Sequence, residues 1–196
     1  MKSSASYLAI AVVAFSGSAV SAQGLGEFYA GAYGSAMSFS LYDGIGFNPE
    51  GNETLVGAVF GWRHPANDFF YGVEGDFGVS LDPDFVNALS DGCPTFSGIC
   101  AYYGDARLRV IGGYSYNNMD FFAGVGAVHA IMAEGNDSRF GVTGLTYGVG
   151  VDYKLTNGLT LRLEGLNDDF GDFVTPDGKA ANWNSTTIRA AAMYRF

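Results

Sequence analysis

The chain has 196 residues, and a composition of 48% hydrophobic and 15% charged residues excludes a disordered protein. Its net charge of -10 excludes nucleic acid as a partner, because binding phosphates needs a basic face. Aromatic residues make up 15% and glycine is abundant, with 29 residues against 5 prolines. This mixture favours strands and tight turns over helices, so we expect an all-β fold.

The first segment, residues 1–22, is predicted to be a cleaved signal peptide. Lys2 precedes a nine-residue apolar run, 7–15, and small residues follow up to Ala22. The apolar run is much shorter than the roughly 18 residues that a membrane-spanning helix needs. We therefore expect an exported protein whose single mature domain is formed by residues 23–196.

Eight segments then show a period-two alternation of side chains. Each is close to the roughly nine to eleven residues with which a tilted β-strand crosses a bilayer, and no helical period competes with the alternation. In chain order, the predicted strands are 28–38, 54–63, 69–79, 102–114, 119–131, 140–155, 159–166 and 186–196.

Short and long connections alternate between these segments. The short turns are "HPAND", "SYNN" and "TNG", and the longer links are 37–53, 80–101, 132–139 and 167–185. Short turns at one end and long loops at the other are typical of bacterial outer-membrane barrels, although a soluble up-and-down barrel can share this layout. In "TNG", Asn157 and Gly158 are expected to supply the positive φ values of a tight hairpin.

The placement of charged residues decides between the two kinds of barrel. Charges alternate with apolar residues within the strands, and a densely packed soluble core would not tolerate them, whereas the interior of a membrane barrel is polar. We therefore predict an eight-stranded antiparallel up-and-down transmembrane β-barrel. Its interior ionic network is expected to contain Glu74, Asp76, Arg107, Arg109, Asp152, Arg162, Glu164 and Arg189.

The short turns also predict which residues face each other on neighbouring strands, namely Tyr114 and Met119, and Asp152 and Arg162. If the third and fourth strands pair through the loop that contains the cysteines, Glu74 is expected to lie near Arg107. Eight strands leave just enough interior space for side chains, so the charges are expected to act as a structural filling. The alternative is that they line a path for ions.

Aromatic residues are concentrated at the strand ends beside the short turns and at the C-terminus. They are predicted to form an outward-facing girdle at one membrane interface. The set is Trp62, Phe69, Tyr71, Tyr114, Tyr153, Tyr194 and Phe196. The last segment, "TTIRAAAMYRF", keeps one apolar face up to its final residue, which is the pattern expected of the strand that closes the barrel.

Few residues outside this pattern indicate chemistry. Cys93 and Cys100 are the two cysteines, and export would allow them to form a disulfide. His64 and His129 are interpreted as packing or interface residues rather than catalytic ones. The acidic segment "NDDFGD", 167–172, is predicted to be a solvated loop rather than a cation site. We expect no enzyme activity, no metal and no cofactor.

Several stretches resemble the opacity-protein-like, small porin-family outer-membrane barrels of Gram-negative bacteria. They are "YGVEGDFGVS", "ARLRVIGGYSY", "YGVGVDYKLTNGLTLRLEGLNDDFG" and "IRAAAMYRF", which together extend over most of the mature chain. The resemblance implies that the inward-facing residues of that family correspond to Glu74, Arg107, Arg109, Arg162, Glu164 and Arg189. It also implies that Tyr194 and Phe196 belong to the signal read by the barrel-assembly machinery.

The resulting functional hypothesis is a structural and interaction protein of the outer membrane. It would lie among outer-membrane lipid and lipopolysaccharide and display four extracellular loops, with a role in envelope integrity, adhesion or as a surface antigen, and with a loop ligand from outside the cell or from a host. A narrow pore for ions or small solutes is the alternative. A lipid-modifying membrane enzyme is a third and disfavoured hypothesis, because no nucleophile accompanies either histidine.

Overall fold

The computed structural model describes residues 26–42, 50–81, 99–134, 139–176, 178 and 180–196. These residues form eight antiparallel strands that pair in chain order and close into a barrel. The strands are β1 (Glu27–Tyr42), β2 (Glu50–Ala66), β3 (Phe69–Ser80), β4 (Ile99–Tyr116), β5 (Met119–Glu134), β6 (Arg139–Lys154), β7 (Leu159–Val174) and β8 (Ala180–Arg195). The predicted all-β up-and-down barrel is confirmed. Within the described ranges, no helix is long and apolar enough to cross a membrane.

Three tight turns join β2 to β3, β4 to β5, and β6 to β7. Each contains an asparagine with a positive φ, which is 58° at Asn67, 53° at Asn117 and 69° at Asn157. Asparagine tolerates this left-handed conformation better than most residues. Gly158 has a φ of 81°, as expected for the "TNG" turn. We call the end of the barrel with these turns and the C-terminus the turn end, and the opposite end the loop end.

The turn between β4 and β5 is tighter than "SYNN" suggests. Tyr116 pairs with Met119 and Tyr114 with Phe121, so the predicted pairing of Tyr114 with Met119 is wrong by two residues. The strands continue through Ser115 and Tyr116 and leave only two residues in the turn. A shift by two keeps every side chain on its predicted face, because side chains alternate with a period of two.

Toward the loop end, the strands continue beyond their predicted limits. β7 runs to Val174 rather than to residue 166, and β8 begins at Ala180 rather than at residue 186. The prediction of 167–172 as a solvated loop is therefore wrong. Asp168 has no exposed surface, whereas its neighbour Asp169 is exposed. The alternation of inward and outward side chains simply continues through the acidic run.

The pairing register sets the width of the barrel. Partners followed from Asn52 on β2 through β1, β8 and the other strands return to β2 at Trp62, ten residues further along. An eight-stranded barrel with this stagger has strands tilted by about 40° and an interior that side chains fill.

The outer face is apolar along the middle of the barrel. Large exposed side chains there include Phe60, Phe77, Leu108, Val110, Val125, Val149, Leu161, Leu163 and Ile188. Toward the loop end, the outer face of β7, β8, β1 and β2 becomes polar, with Asn167, Asp169, Thr186, Ser38, Ser40, Asn52 and Glu50. Between this polar level and the turn-end aromatics, a strand has about ten residues, or roughly 25 Å along the barrel axis, which is the height of a transmembrane band.

The polarity of the interior changes along the barrel axis in the direction opposite to that of the outer face. Near the loop end it is filled by buried apolar side chains, and we call this cluster the apolar core. It consists of Met37, Phe39, Leu41, Leu55, Tyr102, Val128, Ala130, Met132, Val142, Phe170, Ala181 and Trp183. Phe39 and Trp183 stack with ring centroids 4.5 Å apart, and Tyr102 stacks on Trp183 at 6.0 Å. The larger apolar cluster of the barrel interior therefore lies at its loop end. Two smaller clusters lie nearer the turn end: Tyr29, Tyr33, Val59, Ala191 and Met193, and Phe70, Ile111 and Phe122.

Candidate functional site

The barrel interior below the apolar core is a continuous network of ion pairs, which we call the ionic interior. All eight charged residues that the sequence placed inside are buried there: Glu74, Asp76, Arg107, Arg109, Asp152, Arg162, Glu164 and Arg189. Each lies on an inward-facing strand position between outward-facing apolar neighbours, so the alternation of the strands alone directs it inward. The structure brings all eight into one network.

Glu74 lies at the centre of the network. Its Oε1 accepts hydrogen bonds from Arg109, and from Arg189 Nη2 at 3.3 Å, while its Oε2 accepts from Arg162. The hydroxyl of Tyr29 donates to Oε2 at 2.6 Å. A buried carboxylate with three cationic partners and a phenol donor has the compensation that a buried charge requires.

Glu164 joins the same arginines from the other side of the interior. Arg109 Nη1 donates to Glu164 Oε1 at 2.6 Å, and Arg189 Nε donates to Oε2 at 2.7 Å. The tyrosines on β1 complete the packing, because the Arg189 guanidinium lies 4.8 Å from the ring centroid of Tyr33. Such cation–π contacts stabilise a guanidinium that is removed from water.

Toward the apolar core, Arg107 has three carboxylate partners. Its Nη2 donates to Asp168 at 2.6 Å, its Nη1 lies 3.3 Å from Asp76, and it also donates to Asp105. The hydroxyl of Tyr102 donates to Asp105 Oδ2 at 2.5 Å, although the ring of Tyr102 belongs to the apolar core. Tyr102 therefore links the ionic interior to the apolar core.

Toward the turn end, Arg63 and Lys154 extend the network. Arg63 Nη2 lies 2.5 Å from Asp152 Oδ2, and Arg162 Nε donates to Asp152 Oδ1 at 2.7 Å. Asp120 lies 3.5 Å from Arg63 and 2.5 Å from the Lys154 ammonium. The chain of ion pairs thus runs without a break from Lys154 to Arg107.

The observed register agrees with one of the two predicted charge pairings and differs from the other. Asp152 lies opposite Arg162, as predicted. Glu74, expected to lie near Arg107, lies directly opposite Arg109, and Arg107 lies one inward position further toward the loop end, opposite Asp76. No short turn joins β3 to β4, and the long connection left this register undetermined.

The network includes five charged residues beyond the eight that were predicted to form it. Arg63, Asp105, Asp120, Lys154 and Asp168 all take part, which gives six cations and seven carboxylates. The signal was available, because each has the inward parity of its strand. Arg63 and Asp120 border turns and Asp168 belongs to an acidic run, and both settings usually indicate solvent.

The charges of the network compensate one another. Each arginine is held by at least two carboxylates, and the cations and carboxylates nearly balance. Among the residues that the structure describes, no group of three or more His, Cys, Asp and Glu side chains is placed to hold a metal ion. Chemically, the network neutralises and packs the interior.

The predicted girdle residues lie at the turn end on the outer face. Tyr71, Tyr114, Tyr153 and Tyr194 are between 41% and 54% exposed. Neighbouring rings contact one another: Trp62 with Tyr71 at 6.3 Å, Phe69 with Tyr114 at 5.3 Å, and Tyr194 with Phe196 at 5.4 Å between centroids. The Phe196 amide donates to the Phe28 carbonyl at 2.9 Å, so the last residue takes part in barrel closure.

The structure also locates both histidines and one of the two cysteines. Cys93 lies outside the described residues and Cys100 lies at the start of β4, so their disulfide stays a prediction. His129 faces outward, and its Nδ1 lies 2.9 Å from the Thr143 hydroxyl. His64 packs between the rings of Trp62 and Tyr71, with centroids at 6.0 and 5.3 Å.

Comparison with known proteins places this geometry in a class. No protein-family model matches the chain. Among solved structures, Neisserial surface protein A aligns with a TM-score of 0.52 at 15% identity, and the alignment covers 86% of this chain and 97% of that one. This likeness shows the fold. Together with the relatives described next, it identifies the chain as an eight-stranded outer-membrane β-barrel protein of the Gram-negative type.

The sequence relatives carry the outer-membrane location in their names. The 25 kDa outer-membrane immunogenic protein of Brucella abortus is 31% identical over 145 residues, which cover 67% of this chain and 63% of that protein. The protein of the same name from Brucella canis is 32% identical over 137 residues, covering 63% of this chain and 60% of that protein. The match thus spans somewhat less than two thirds of these relatives. The predicted class and location are confirmed.

Proposed function

We propose that this protein is a closed membrane scaffold that displays the connections at its loop end on the cell surface. The observation that carries the proposal is the filled interior. Ion pairs occupy the barrel from Lys154 to Arg107, and the stacked rings of Phe39, Tyr102 and Trp183 lie above them. A filled interior supports display and envelope support as the function and argues against the alternative of a narrow pore.

The proposed orientation places the turn end in the periplasm and the loop end outside. The aromatic girdle at the turn end, the three tight turns there and the longer links at the other end support it, because outer-membrane barrels have short periplasmic turns. The immunogenic character stated in the name of the Brucella relatives also supports surface display. We propose that the displayed connections act as an antigen or as an adhesin and bind a ligand from outside the cell.

Planar-bilayer recording tests the closed interior. The purified, refolded barrel is expected to show no regular conductance steps. Regular steps in the parent protein that change in size in Arg109→Ala, but not in Arg139→Ala on the outer face, would establish a path through the interior and overturn the proposal. Steps unaffected by either substitution would indicate leakage around the protein, which leaves the interior closed.

Protease treatment of intact cells tests the orientation. Cleavage is expected within 43–49 or 82–98, which lie outside the described strands at the loop end. The protected fragments should be identified by mass spectrometry. Cleavage at the tight turns of intact cells, or cleavage at the loop end only after permeabilisation, would reverse the orientation.

We also propose that the barrel-assembly machinery recognises Phe196. Deleting Phe196 should reduce the fraction of protein in the outer membrane far more than the roughly 2 to 3 kcal/mol of one unburied aromatic ring would explain. Phe77→Ala is the matched control, because Phe77 is similarly exposed on the outer face at 53% against 44%. Equal insertion of both variants would remove the assembly role of the terminal residue.

A further inference from the structure

One cation stands apart from the networks described above. Arg139, at the start of β6 on the outer face of the loop end, is exposed. Every other lysine or arginine in the described part of the chain lies within 4.0 Å of a carboxylate. Among the side chains that the structure describes, no carboxylate pairs with Arg139, and those side chains leave its donors available to an external anion.

The Arg139 guanidinium is nevertheless held in place. Its central carbon lies 4.1 Å from the ring centroid of Tyr103 on β4, two strands away. Both side chains reach across β5 at Ala133, which pairs with Arg139 on one side and with Ala101 on the other. Ala133 and Ala101 are only 1% and 4% exposed. The small side chains of both alanines leave room for the contact between Arg139 and Tyr103, and both alanines are buried.

An irregularity in β4 directs Tyr103 to this position. The register shifts between Tyr102 and Gly104, which leaves Tyr103 without a partner on β5. Such bulges redirect a side chain. Gly104 has a φ of 153°, and a Cβ there would lie 2.1 Å from the Gly78 carbonyl oxygen, so the close approach of β3 requires glycine. The irregular strand itself therefore positions the Tyr103 ring, which we call the platform under Arg139.

The level of this cation along the barrel axis identifies the layer that it contacts. On β5, Ile131 is the last exposed large apolar side chain before the loop end, and it pairs with Gly141 on β6. Arg139 lies two residues beyond Gly141, which is about 5 Å closer to the loop end on a strand tilted by about 40°. In the proposed orientation, this is the headgroup layer of the outer leaflet, where the lipids carry phosphate groups.

We propose that Arg139, held against Tyr103, binds a phosphate group of an outer-membrane lipid. A guanidinium with free donors on one side recognises a phosphate through two parallel charge-assisted hydrogen bonds. The phosphate is supplied by lipopolysaccharide or by an acidic glycerophospholipid. The inference about the leaflet rests on the proposed function, whereas binding of the phosphate by Arg139 does not depend on orientation.

The test measures lipid retained by the purified, folded full chain in native mass spectrometry. Three probes are added in parallel: rough lipopolysaccharide, the same lipopolysaccharide after phosphatase treatment, and phosphatidylglycerol. Arg139→Gln should lower retention of a phosphorylated lipid about tenfold, as expected for the loss of a charge-assisted pair. Tyr103→Leu, which keeps the charge but removes the platform, should lower it about threefold. Arg195→Gln, at the turn end, is the matched control and should change nothing.

The probes separate the sources of the phosphate. Loss confined to phosphorylated lipopolysaccharide assigns the site to that lipid, and loss confined to phosphatidylglycerol assigns it to a glycerophospholipid. Equal retention by the parent and Arg139→Gln, with both showing the heat-modifiable gel shift of a folded barrel, overturns the site. Where the loss falls on lipopolysaccharide, equal retention of its untreated and phosphatase-treated forms by the parent protein also overturns the site, because the phosphate would then not be what Arg139 binds. The protease experiment on cells tests the orientation separately, so the two failures remain distinguishable.

Discussion

The middle of the barrel and its loop end have the same strands but opposite faces. In the middle, Glu74 and Arg109 face inward and residues such as Val149 face outward. At the loop end, Phe39 and Trp183 face inward and polar residues such as Ser40 face outward. Because both regions use a period of two, the comparison shows that the surrounding solvent, lipid in one case and water in the other, decides which face is apolar.

The comparison predicts that removing a central charge from the interior has the largest effect. Glu74→Ala removes the buried carboxylate that contacts Arg109, Arg162 and Arg189 together, and breaking a buried ion pair in this way costs about 3–5 kcal/mol. The heat-modifiable gel shift should move to lower temperature, and the urea midpoint in detergent should fall. Glu50→Gln, an exposed acid on the outer face, should leave both unchanged. An unchanged midpoint in Glu74→Ala would mean that water already compensates these charges.

A new charge on the outer face should distinguish the two regions. Val149→Arg places a guanidinium near the middle of the apolar band and should destabilise the barrel in lipid vesicles by about 2–4 kcal/mol. Ser40→Arg, on the outer face at the loop end, should cost at most about 1 kcal/mol, because this position contacts water or headgroups. The measurement is the unfolding free energy in vesicles. Equal costs at both positions would remove the proposed boundary of the membrane.

Two adjacent aspartates sharpen the comparison within one strand. Asp168 is buried and accepts hydrogen bonds from Arg107, whereas Asp169 is exposed. Asp168→Asn should therefore cost about 1.5–3 kcal/mol, the usual value of a hydrogen bond to a charged group, and Asp169→Asn less than about 0.5 kcal/mol. Chemical unfolding in detergent provides both values. If the order were reversed, the extension of β7 beyond residue 166 would be wrong.

The smallest expected effect concerns the apolar core itself. Phe39→Leu removes the stacking of Phe39 on Trp183 and should cost about 1 kcal/mol of unfolding free energy. Phe77→Leu on the lipid-facing surface should cost only about a few tenths, because lipid tails replace the lost contacts. The same vesicle measurement compares the two. A larger loss at Phe77 would indicate that its ring packs against protein rather than lipid.

Much of this organisation followed from local pattern, and the exceptions have a common origin. The inward positions of Glu74 and Arg162 were predictable because side-chain direction depends only on parity along a strand. The pairing of Asp152 with Arg162 was predictable because a tight turn sets the register. Where a long link intervenes, as between β3 and β4, the register of Glu74 was missed.

The sequence by itself determined which side chains share a face, where the tight turns lie, and that the charged face points inward. Only the tertiary structure decided which partners meet across the interior, such as Arg109 with Glu164, 55 residues apart, and Arg63 with Asp152, 89 residues apart. It also decided that Phe39, Tyr102 and Trp183, from three different strands, form one core. The physical reason is that parity and turn geometry act between near neighbours in the chain. Contacts across the interior depend on the stagger with which all eight strands close, and no local segment specifies that stagger.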